Sequence, residues 1–375
     1  MKRVLLLSTV HPATDPRIVY KIAPSLAKHY QVYLALPEAT SSQHIPNLHA
    51  VRLPHFRHIL YRLLFSHPVV LWKCIRLRPE VVHIFVPELI PLAFLFRWQG
   101  AQVVYEVQEN LYKKFSLKRY NKQPLFQYFF RLFDHLARRH FHCILTDDGY
   151  QVEYKPLAHP SAVIHNYASV SFLDSLVIPN APEATFPTFF YSGVISMERA
   201  FDTLVAALVI LRQRYPDFRV HLFGPVQFDW EEALALPDFE LVRPHLTFYG
   251  YTDQRIAIPY APNATAGIAL LKPVGDYPES YTTKLFEYMA LRLPVLTSDF
   301  PLYREVVEVH RCGLCVSAYD ATAVADALAW FIEHPEDRKS MGDRGRQAVK
   351  EHYNWTNEEK ILLSYYNSLT KITSV

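Results

Sequence analysis

Short runs of β-branched and aromatic residues alternate with helical stretches along the whole chain. This alternation is typical of βαβ units, in which parallel strands form a sheet covered by helices on both faces. The alternation stops in a segment rich in Pro, Ala and Ser and then starts again. This pattern predicts an α/β chain with two doubly wound parallel sheets. The predicted strands are Val4–Ser8, Val32–Leu36, His49–Leu53, Val81–Phe85, Gln102–Val107, Cys143–Thr146, Ala162–His165, Thr188–Val194, Val220–Phe223, Leu246–Tyr249, Thr265–Leu271, Pro294–Thr297 and Leu314–Ser317.

These two sets of strands divide the chain. We expect an N-terminal domain over residues 1–167, a linker over 168–187 and a C-terminal domain over 188–352. Residues 353–375 have apolar positions at helical spacing, and we expect this last helix to pack back toward the N-terminal domain. Ligands of such domains bind at the carboxyl ends of the strands, so the functional residues should lie in the loops that follow strands.

Composition limits the kind of site that the chain can form. Glycine is scarce, with 10 residues in 375, so a phosphate site here cannot rest on a glycine-rich loop. The net charge is +3, but residues 1–170 contain 21 Lys and Arg against 10 Asp and Glu. A basic N-terminal half favours an anionic membrane surface or an acidic substrate, and a solvated basic surface is the alternative.

Cysteine usage and hydropathy bear on the compartment. Four cysteines and no signal peptide predict a reducing environment, and we expect a cytoplasmic protein. Cys312 and Cys315 have redox spacing, but they do not begin a helix and no second pair completes a zinc site, so we expect neither role. The longest apolar run, from Leu89 to Phe96, is far shorter than the ~20 residues that cross a bilayer.

The most informative segment spans residues 276–294. Thr282 or Thr283 can cap a helix that runs to about Leu291. The unpaired amides of the first helical turn, with Lys284 beside them, form an anion pocket that needs no glycine loop. A diphosphate fits such a pocket.

Two glutamates flank this pocket. Glu287 lies one turn further along the helix, where its carboxylate can accept hydrogen bonds from ribose hydroxyls. Glu279 precedes the helix and can face the sugar end of the same ligand. The two residues would then bracket a nucleotide sugar, and a capped helix with two surface glutamates is the alternative on spacing alone.

Further motifs surround these glutamates. Glu279 and Glu287 are followed by Tyr-Met-Ala and then by Leu-Pro-Val-Leu-Thr-Ser-Asp. This arrangement resembles the signature of the retaining glycosyltransferases of family 4, the group 1 glycosyltransferases, whose GT-B fold has two Rossmann-like domains facing across a cleft. The resemblance covers nearly the whole chain, through Asp15–Ile18, Ser25–Ala27, Tyr191–Gly193, Gly224, Tyr249–Tyr251, Arg304–Val307, Cys312–Gly313, Met341–Gly342 and Tyr353–Trp355.

The resemblance implies transfer of a sugar from a nucleoside diphosphate sugar, with retention at the anomeric carbon and with neither a cofactor nor a metal. Positive groups of the protein would then stabilise the leaving diphosphate. The implied catalytic residues are Glu279, Lys284 and Arg199. The implied donor-binding residues are Gly193, Ser280, Thr282, Thr283, Glu287, Gly224 and Tyr251.

The loop after Gly193 departs from the family pattern. Val194 stands where relatives often have an arginine, and Ala200 replaces a glycine that follows a basic residue. Arg199 is the one cation that this sequence carries over in the loop, so one phosphate-binding cation of the family is missing.

The N-terminal domain departs further. Gln108 stands where relatives have a histidine beside the transferred sugar, and glutamine can hydrogen-bond a hydroxyl but cannot shuttle a proton. Val86 replaces an aspartate in a second family loop. Two interpretations stay open, a site with altered specificity and a non-catalytic sugar-nucleotide-binding or scaffold partner of another glycosyltransferase. The acceptor-side candidates are Arg17, Glu88, Gln108 and Glu109.

Asp15 and Arg17 follow the first predicted strand. Aspartate before proline at a helix start is an ordinary N-cap. Arg17 could point from this loop toward an acceptor phosphate or a carboxylated sugar.

Residues 113–142 interleave eight Lys and Arg with aromatic residues. Such a segment can lie on an anionic membrane, and the alternative is a helix that packs its Phe face on the core. No nucleic-acid recognition module is present, so no nucleic-acid partner is expected. The resemblance implies a glycan or lipid-linked acceptor, used in polysaccharide or glycolipid synthesis at the inner face of a membrane.

Overall fold

The computed structural model describes residues 1–40, 45–115, 123–177 and 185–372. The chain divides into two compact units, Met1–Asn166 with Trp355–Val375, and Tyr167–Asn354. Each unit contains one sheet, and the neighbouring strands that the structure describes pair in parallel. The predicted fold class, α/β with two doubly wound parallel sheets, is therefore confirmed.

The sheet of the first unit has seven strands in the described part of the chain. They are β1 (Arg3–Leu7), β2 (Gln31–Pro37), β3 (Leu48–Leu53), β4 (Val81–Ile84), β5 (Gln102–Val107), β6 (His142–Leu145) and β7 (Ser161–Val163). Their order is β3-β2-β1-β4-β5-β6-β7.

The sheet of the second unit has six strands among the described residues. They are β8 (Thr188–Ser192), β9 (Arg219–Phe223), β10 (Leu246–Gly250), β11 (Ala266–Ala269), β12 (Val295–Ser298) and β13 (Gly313–Val316). Their order, β10-β9-β8-β11-β12-β13, repeats the pattern of the first unit.

Helices connect the strands and cover both sheets. Those of the first unit are α1 (Ala23–Ala27), α2 (Ile59–Tyr61), α3 (His67–Cys74), α4 (Ile90–Trp98), α5 (Leu111–Lys114), α6 (Pro124–His140), α7 (Tyr150–Tyr154) and, from the chain end, α17 (Trp355–Ile372). Those of the second unit are α8 (Val170–Leu176), α9 (Phe201–Arg214), α10 (Trp230–Leu234), α11 (Phe239–Val242), α12 (Gln254–Ala257), α13 (Thr283–Ala290), α14 (Pro301–Val307), α15 (Ala321–Glu333) and α16 (Pro335–Glu351).

The strands are buried on both faces because helices cover each side of the sheets. In β1, Leu5 and Leu7 belong to one apolar cluster, whereas Val4 and Leu6 belong to another. Successive side chains of a strand point to opposite faces, so the two clusters lie on the two sides of the sheet. Continuous apolar strands of this kind are the reason that the sequence pattern predicts a parallel sheet.

All thirteen predicted strands are found, with ends shifted by a few residues; the strand predicted over Thr265–Leu271 is Ala266–Ala269. The segment predicted as a linker contains α8, whose Leu173 is buried in the core of the second unit. Residues 178–184 of that segment lie outside the described residues. The last helix, α17, contributes Trp355 and Tyr366 to the core of the first unit.

A buried polar network joins α17 to the sheet of the first unit. Arg17 Nε donates to Glu106 Oε1 over 2.8 Å, and Arg17 Nη2 donates to the carbonyl oxygen of Ile164 over 2.9 Å. His83 Nε2 lies 3.4 Å from Glu106, and His83 Nδ1 shares a hydrogen bond of 2.6 Å with the Tyr366 hydroxyl. Burial by itself would raise the pKa of Glu106, but Arg17 and His83 outweigh burial and hold that pKa well below its ordinary range.

Glu106→Gln should destabilise the protein by about 3–5 kcal/mol, because it leaves the Arg17 guanidinium buried without its counter-charge. A carboxylate whose pKa is depressed in the folded state stabilises the fold above its unfolded pKa, and this contribution is lost as the pH falls through the folded pKa. Urea denaturation of the native protein and the variant should therefore differ most near neutral pH and converge at low pH.

Glu80→Gln is the matched control, since Glu80 pairs with Arg3 at the surface. Its expected cost is ~0–1 kcal/mol. Equal destabilisation by the two substitutions would contradict the role assigned to the buried network.

Candidate anion-binding site

The strand order of each sheet changes direction at one point in the described chain, between β1 and β4 in the first unit and between β8 and β11 in the second. At such a point the connections leave toward opposite faces of the sheet, and a crevice forms at the carboxyl ends of the strands. In the second unit Gly193 follows β8 directly, and Lys284 lies in the first turn of α13. Both residues belong to this crevice.

Two glycines allow the backbone after β8 to approach that after β9. Gly193 and Gly224 have φ angles of 137° and 145°, which side chains disfavour. A Cβ atom on Gly224 would lie 1.9 Å from the carbonyl oxygen of Gly193. The amide of Gly193 in turn donates to the Phe223 carbonyl oxygen over 2.7 Å. Glycine at 224 is thus required to hold Gly193 where it lies.

Two basic side chains lie beside Gly193, on the side where a Cβ atom would stand. A Cβ atom built there would lie 3.3 Å from Arg199 Nη1 and 3.9 Å from Lys284 Nζ. Arg199 is carried by the 3₁₀ turn Met197–Arg199, and Lys284 Nζ lies 3.9 Å from the centre of the Tyr191 ring. Two basic side chains, one from the turn after β8 and one from the first turn of α13, therefore meet at one point of the crevice.

Lys284 is the unusual member of this pair. Its side chain is buried, and its Nζ has no hydrogen-bond partner among the residues that the structure describes. Burial lowers the pKa of Lys284 well below its ordinary value, Arg199 lowers it further, and Glu287 acts in the opposite direction. Burying an amine without a hydrogen-bond partner costs free energy, and an anion placed beside the amine would accept its hydrogen bonds.

Glu287 is buried one turn along α13 from Lys284. Its Oε1 accepts a hydrogen bond of 2.7 Å from Gln254 Nε2. Gln254, which begins α12 after β10, was not predicted from the sequence. Its position four residues after Gly250 in a strand-following loop was the available signal.

The start of α13 differs from the prediction in one respect. Thr282 holds the position before the helix, but within the described residues its hydroxyl makes no capping hydrogen bond, so the expectation that it caps the helix is wrong. Its backbone is extended, with ψ of 126°. Thr283 is the first helical residue, and the Ser280 hydroxyl donates to the Asp276 carbonyl oxygen rather than to α13.

The remaining predicted donor residues lie at exposed positions. Glu279 ends the 3₁₀ turn Tyr277–Glu279 that precedes α13, and its side chain is exposed. Tyr251 follows β10 and is also exposed. The structure thus brings together Gly193, Arg199 and Lys284, whereas Glu279 lies in the turn before α13 and Tyr251 lies after β10.

In the first unit, Glu88 follows β4 and forms a paired interaction with Arg62. Arg62 Nε and Nη2 each donate to a Glu88 oxygen over 2.8 Å, and the Thr9 hydroxyl donates to Glu88 as well. Neither Arg62 nor Thr9 was identified from the sequence. Thr9 follows β1, so Glu88 lies at the point where the strand order of this sheet changes direction.

The other acceptor-side candidates lie after β1 and β5. Asp15 caps, as predicted, the helical segment that begins at residue 16 and continues into α1, since Asp15 Oδ1 accepts from the Ile18 amide over 2.9 Å. Arg17 is buried on Glu106 rather than exposed in its loop, and Gln108 Nε2 donates to the same carboxylate over 2.8 Å. Glu109 Oε1 lies 3.3 Å from Lys114 Nζ. Arg17 therefore has a structural role, and its contact with an acceptor stays a prediction.

The cysteine pair does not resemble a redox centre. Burial raises the pKa of Cys312 and of Cys315 to about 12, so neither thiol ionises readily. In the part of the chain that the structure describes, no group of three or more His, Cys, Asp or Glu side chains is arranged to hold a metal ion.

Comparisons with known proteins agree with the geometry of the second unit. Residues 178–348 match the sequence profile of the family described as glycosyl transferases group 1. The chain is 27% identical over 171 residues to the phosphatidyl-myo-inositol mannosyltransferase of Mycobacterium leprae, which is 46% of this chain and 43% of that protein. The corresponding protein of Mycolicibacterium smegmatis is 25% identical over 53% of this chain and 50% of its own length. The chain thus spans about half the length of the curated relatives it matches.

Solved structures share the fold over nearly the whole chain. A sucrose-phosphate synthase from Thermosynechococcus elongatus has a TM-score of 0.77 at 17% identity, covering 99% of this chain and 100% of that one. Anabaena HepE in complex with UDP and glucose has a TM-score of 0.71 at 13% identity, covering 98% and 100%. At these identities the likeness concerns the fold alone.

The family match contains Gly193, Arg199, Lys284 and Glu287, and the chain shares its fold with the solved structures. The resemblance to the group 1 glycosyltransferases of GT-B fold, predicted from the sequence, is therefore confirmed, with residues 178–348 carrying the family match.

Proposed function

We propose that the protein transfers a sugar from a nucleoside diphosphate sugar to a glycan or lipid-linked acceptor, with retention at the anomeric carbon and without a metal. One observation carries the proposal: the buried Lys284 amine meets Arg199 beside Gly193 at the carboxyl end of β8. Two basic side chains beside the backbone of Gly193 suit the two phosphates of such a donor.

The similar proteins support this donor class. Solved structures of Anabaena HepE contain UDP, UDP with glucose, or UDP-glucose. Both curated relatives are named as mannosyltransferases. These names favour a hexosyl donor and leave the base and the sugar of this protein to experiment.

We assign each group a role in the transfer. When the bond from the anomeric carbon to the diphosphate oxygen breaks, negative charge develops on the diphosphate, and Lys284 and Arg199 stabilise it. Glu287, held by Gln254, accepts from the ribose hydroxyls, and Glu279 contacts the donor sugar. Ser280, Thr282, Thr283 and the amides of the first turn of α13 line the phosphates.

A second candidate function is binding of the sugar nucleotide without catalysis. Gln108 favours it, because its amide is held by Glu106 and cannot accept a proton from an acceptor hydroxyl. The transfer proposal is preferred because electrostatic stabilisation by Lys284 and Arg199 does not need a base at position 108. Turnover separates the two functions, whereas nucleotide binding alone does not.

The membrane surface predicted over residues 113–142 belongs to this proposal. On α6, Phe130 is buried while Leu125, Tyr128, Phe129 and Leu132 are exposed, so the helix has both a core-packing face and an apolar outer face. Residues 116–122 lie outside the described residues. No helix in the described part of the chain is long and apolar enough to cross a membrane. We place the transfer at the inner face of a membrane, with the protein bound peripherally.

The direct test is sugar transfer from UDP-, GDP- and ADP-sugars in EDTA to a mixture of glycan and lipid-linked acceptors. Glu279→Gln should lower kcat by about a hundredfold while nucleotide affinity stays within about twofold, because the contact to the donor sugar matters most as the bond breaks. Glu336→Gln, at an exposed position on α16, is the matched control and should leave kcat unchanged. Native kcat in Glu279→Gln would contradict the role of Glu279, and nucleotide binding without turnover would favour the second function.

Nucleotide binding should also take up a proton. Since the pKa of Lys284 is low in the free protein and a diphosphate would raise it, Lys284 gains a proton between these two pKa values, and affinity falls as the pH rises through that range. Calorimetry in buffers of different ionisation enthalpy, above the last pKa of the nucleotide, should give uptake of up to about one proton.

Lys284→Met should abolish this uptake, and Lys339→Met, at an exposed position on α16, should preserve it. The same uptake in the native protein and in Lys284→Met would show that another group titrates.

A further inference from the structure

The helical stretch over residues 59–77 exposes large apolar side chains in a pattern unlike that of an ordinary surface helix. It consists of α2, a π-helical turn Arg62–Ser66, α3 and a 3₁₀ turn Ile75–Leu77. Its outward side chains are 40–67% exposed. They are Leu60, Tyr61, Leu63, Leu64, Phe65 and Trp72.

The inner side of this stretch is anchored. Ser66, Val70 and Cys74 are buried, and Arg62 donates two hydrogen bonds to Glu88. These spacings of four residues hold one side of the helical stretch on the unit. The opposite side is held outward as a result.

The exposed Tyr61 and Phe65 pack on one another and on the half-buried Phe56. The Phe56 and Phe65 rings lie 5.6 Å apart, and the Tyr61 and Phe65 rings lie 6.2 Å apart in a stacked arrangement. Large apolar side chains exposed together in this way are typical of an interaction site rather than of ordinary solvent-facing residues.

Charge identifies the kind of partner. The sequence has no Asp or Glu between Glu38 and Glu80, and six Lys or Arg lie in that interval. Four of these basic residues are exposed around the apolar surface, Arg52, Arg57, Arg76 and Arg78. An apolar, aromatic surface bordered by arginines complements a bilayer that carries anionic phospholipid.

We propose that the outward side of residues 59–77, with Phe56, docks on an anionic membrane surface and inserts Leu60, Leu64 and Phe65 among the lipid headgroups. This docking surface is separate from that of α6, and both elements contact the short turn Pro87–Leu89 that carries Glu88.

The docking surface indicates which acceptor the proposed transfer uses, and this part of the inference rests on the proposed function. Arg62 lies among the docking residues and binds Glu88, an acceptor-side candidate at the switch point of the first sheet. The acceptor class is then an amphipathic molecule that stays in the membrane while its polar end reaches Glu88.

The test is flotation of the full chain with vesicles of phosphatidylcholine, with and without phosphatidylglycerol, and with no nucleotide present. The native protein should float only with the anionic vesicles, and added salt should weaken the binding. The L64S/F65S double variant should bind roughly tenfold or more weakly, because it removes two inserted apolar side chains. An R57Q/R76Q variant should bind more weakly and lose part of the salt dependence.

The matched control is W230S/L234S, which removes two side chains of similar exposure from the second unit beside Glu231 and Glu232. It should bind vesicles as the native protein does. Thermal melting of both double variants should match that of the native protein, since all four side chains lie at the surface.

The proposal would be overturned if the native protein failed to bind anionic vesicles. It would also be overturned if L64S/F65S bound vesicles as the native protein does, or if the α6 variant L125S/F129S were the only variant that lost binding. A native dimer that L64S/F65S converts to a monomer, without vesicle binding, would assign the surface to a second copy of the chain. Vesicle binding without sugar transfer would contradict the proposed function alone, and transfer to a membrane acceptor without vesicle binding would contradict this inference alone.

Discussion

The burial of Lys284 next to Arg199 is the interaction on which the candidate anion-binding site depends. Removing an ammonium group from water costs free energy, and a like charge nearby adds to the cost. Within the structure this cost is offset in part by the Tyr191 ring, 3.9 Å from Nζ, and by the carboxylate of Glu287. The protein therefore holds an anion site ready before an anion arrives, and less reorganisation remains for the moment of reaction.

The surrounding backbone serves the same arrangement. Gly224 allows Gly193 to approach the end of β9, and the change of strand order between β8 and β11 brings α13 to the same crevice. A side chain at Gly224 would displace the loop that carries Arg199, because its Cβ atom would overlap the Gly193 carbonyl oxygen. A chain with few glycines thus uses them where two backbone segments meet.

Much of this fold could be predicted because its information is local. The strands are short apolar runs buried on both faces, and β1 with Leu5 and Leu7 is recognisable without any knowledge of its neighbours. Lys284 and Glu287 were predictable because one helix carries both. Capping of α13 by the Thr282 hydroxyl was predicted wrongly, since the rotation of one side chain at a helix start depends on the loop that precedes it.

Contacts between segments that are far apart in the chain could not be predicted from the sequence. Glu106 as the partner of Arg17, Gln254 as the partner of Glu287, and Arg62 as the partner of Glu88 each join residues 26 to 89 positions apart. Pairing over such distances follows from strand order, which one sequence does not reveal. In the first unit, Arg17 and Gln108 share the buried carboxylate of Glu106. Glu88 is bonded to the helical stretch that exposes Leu64 and Phe65.

The diphosphate site is tested most directly by calorimetric titration of UDP, GDP and ADP into the native protein and into Lys284→Ala, in EDTA. One nucleotide should bind the native protein without metal, and Lys284→Ala should weaken this binding by about tenfold to a hundredfold, the effect of losing one charge-assisted contact. Lys339→Ala, at an exposed position on α16, should bind like the native protein. Absence of binding by all three nucleotides, or equal affinity in Lys284→Ala, would contradict the assignment of Lys284 and Arg199 as the diphosphate site.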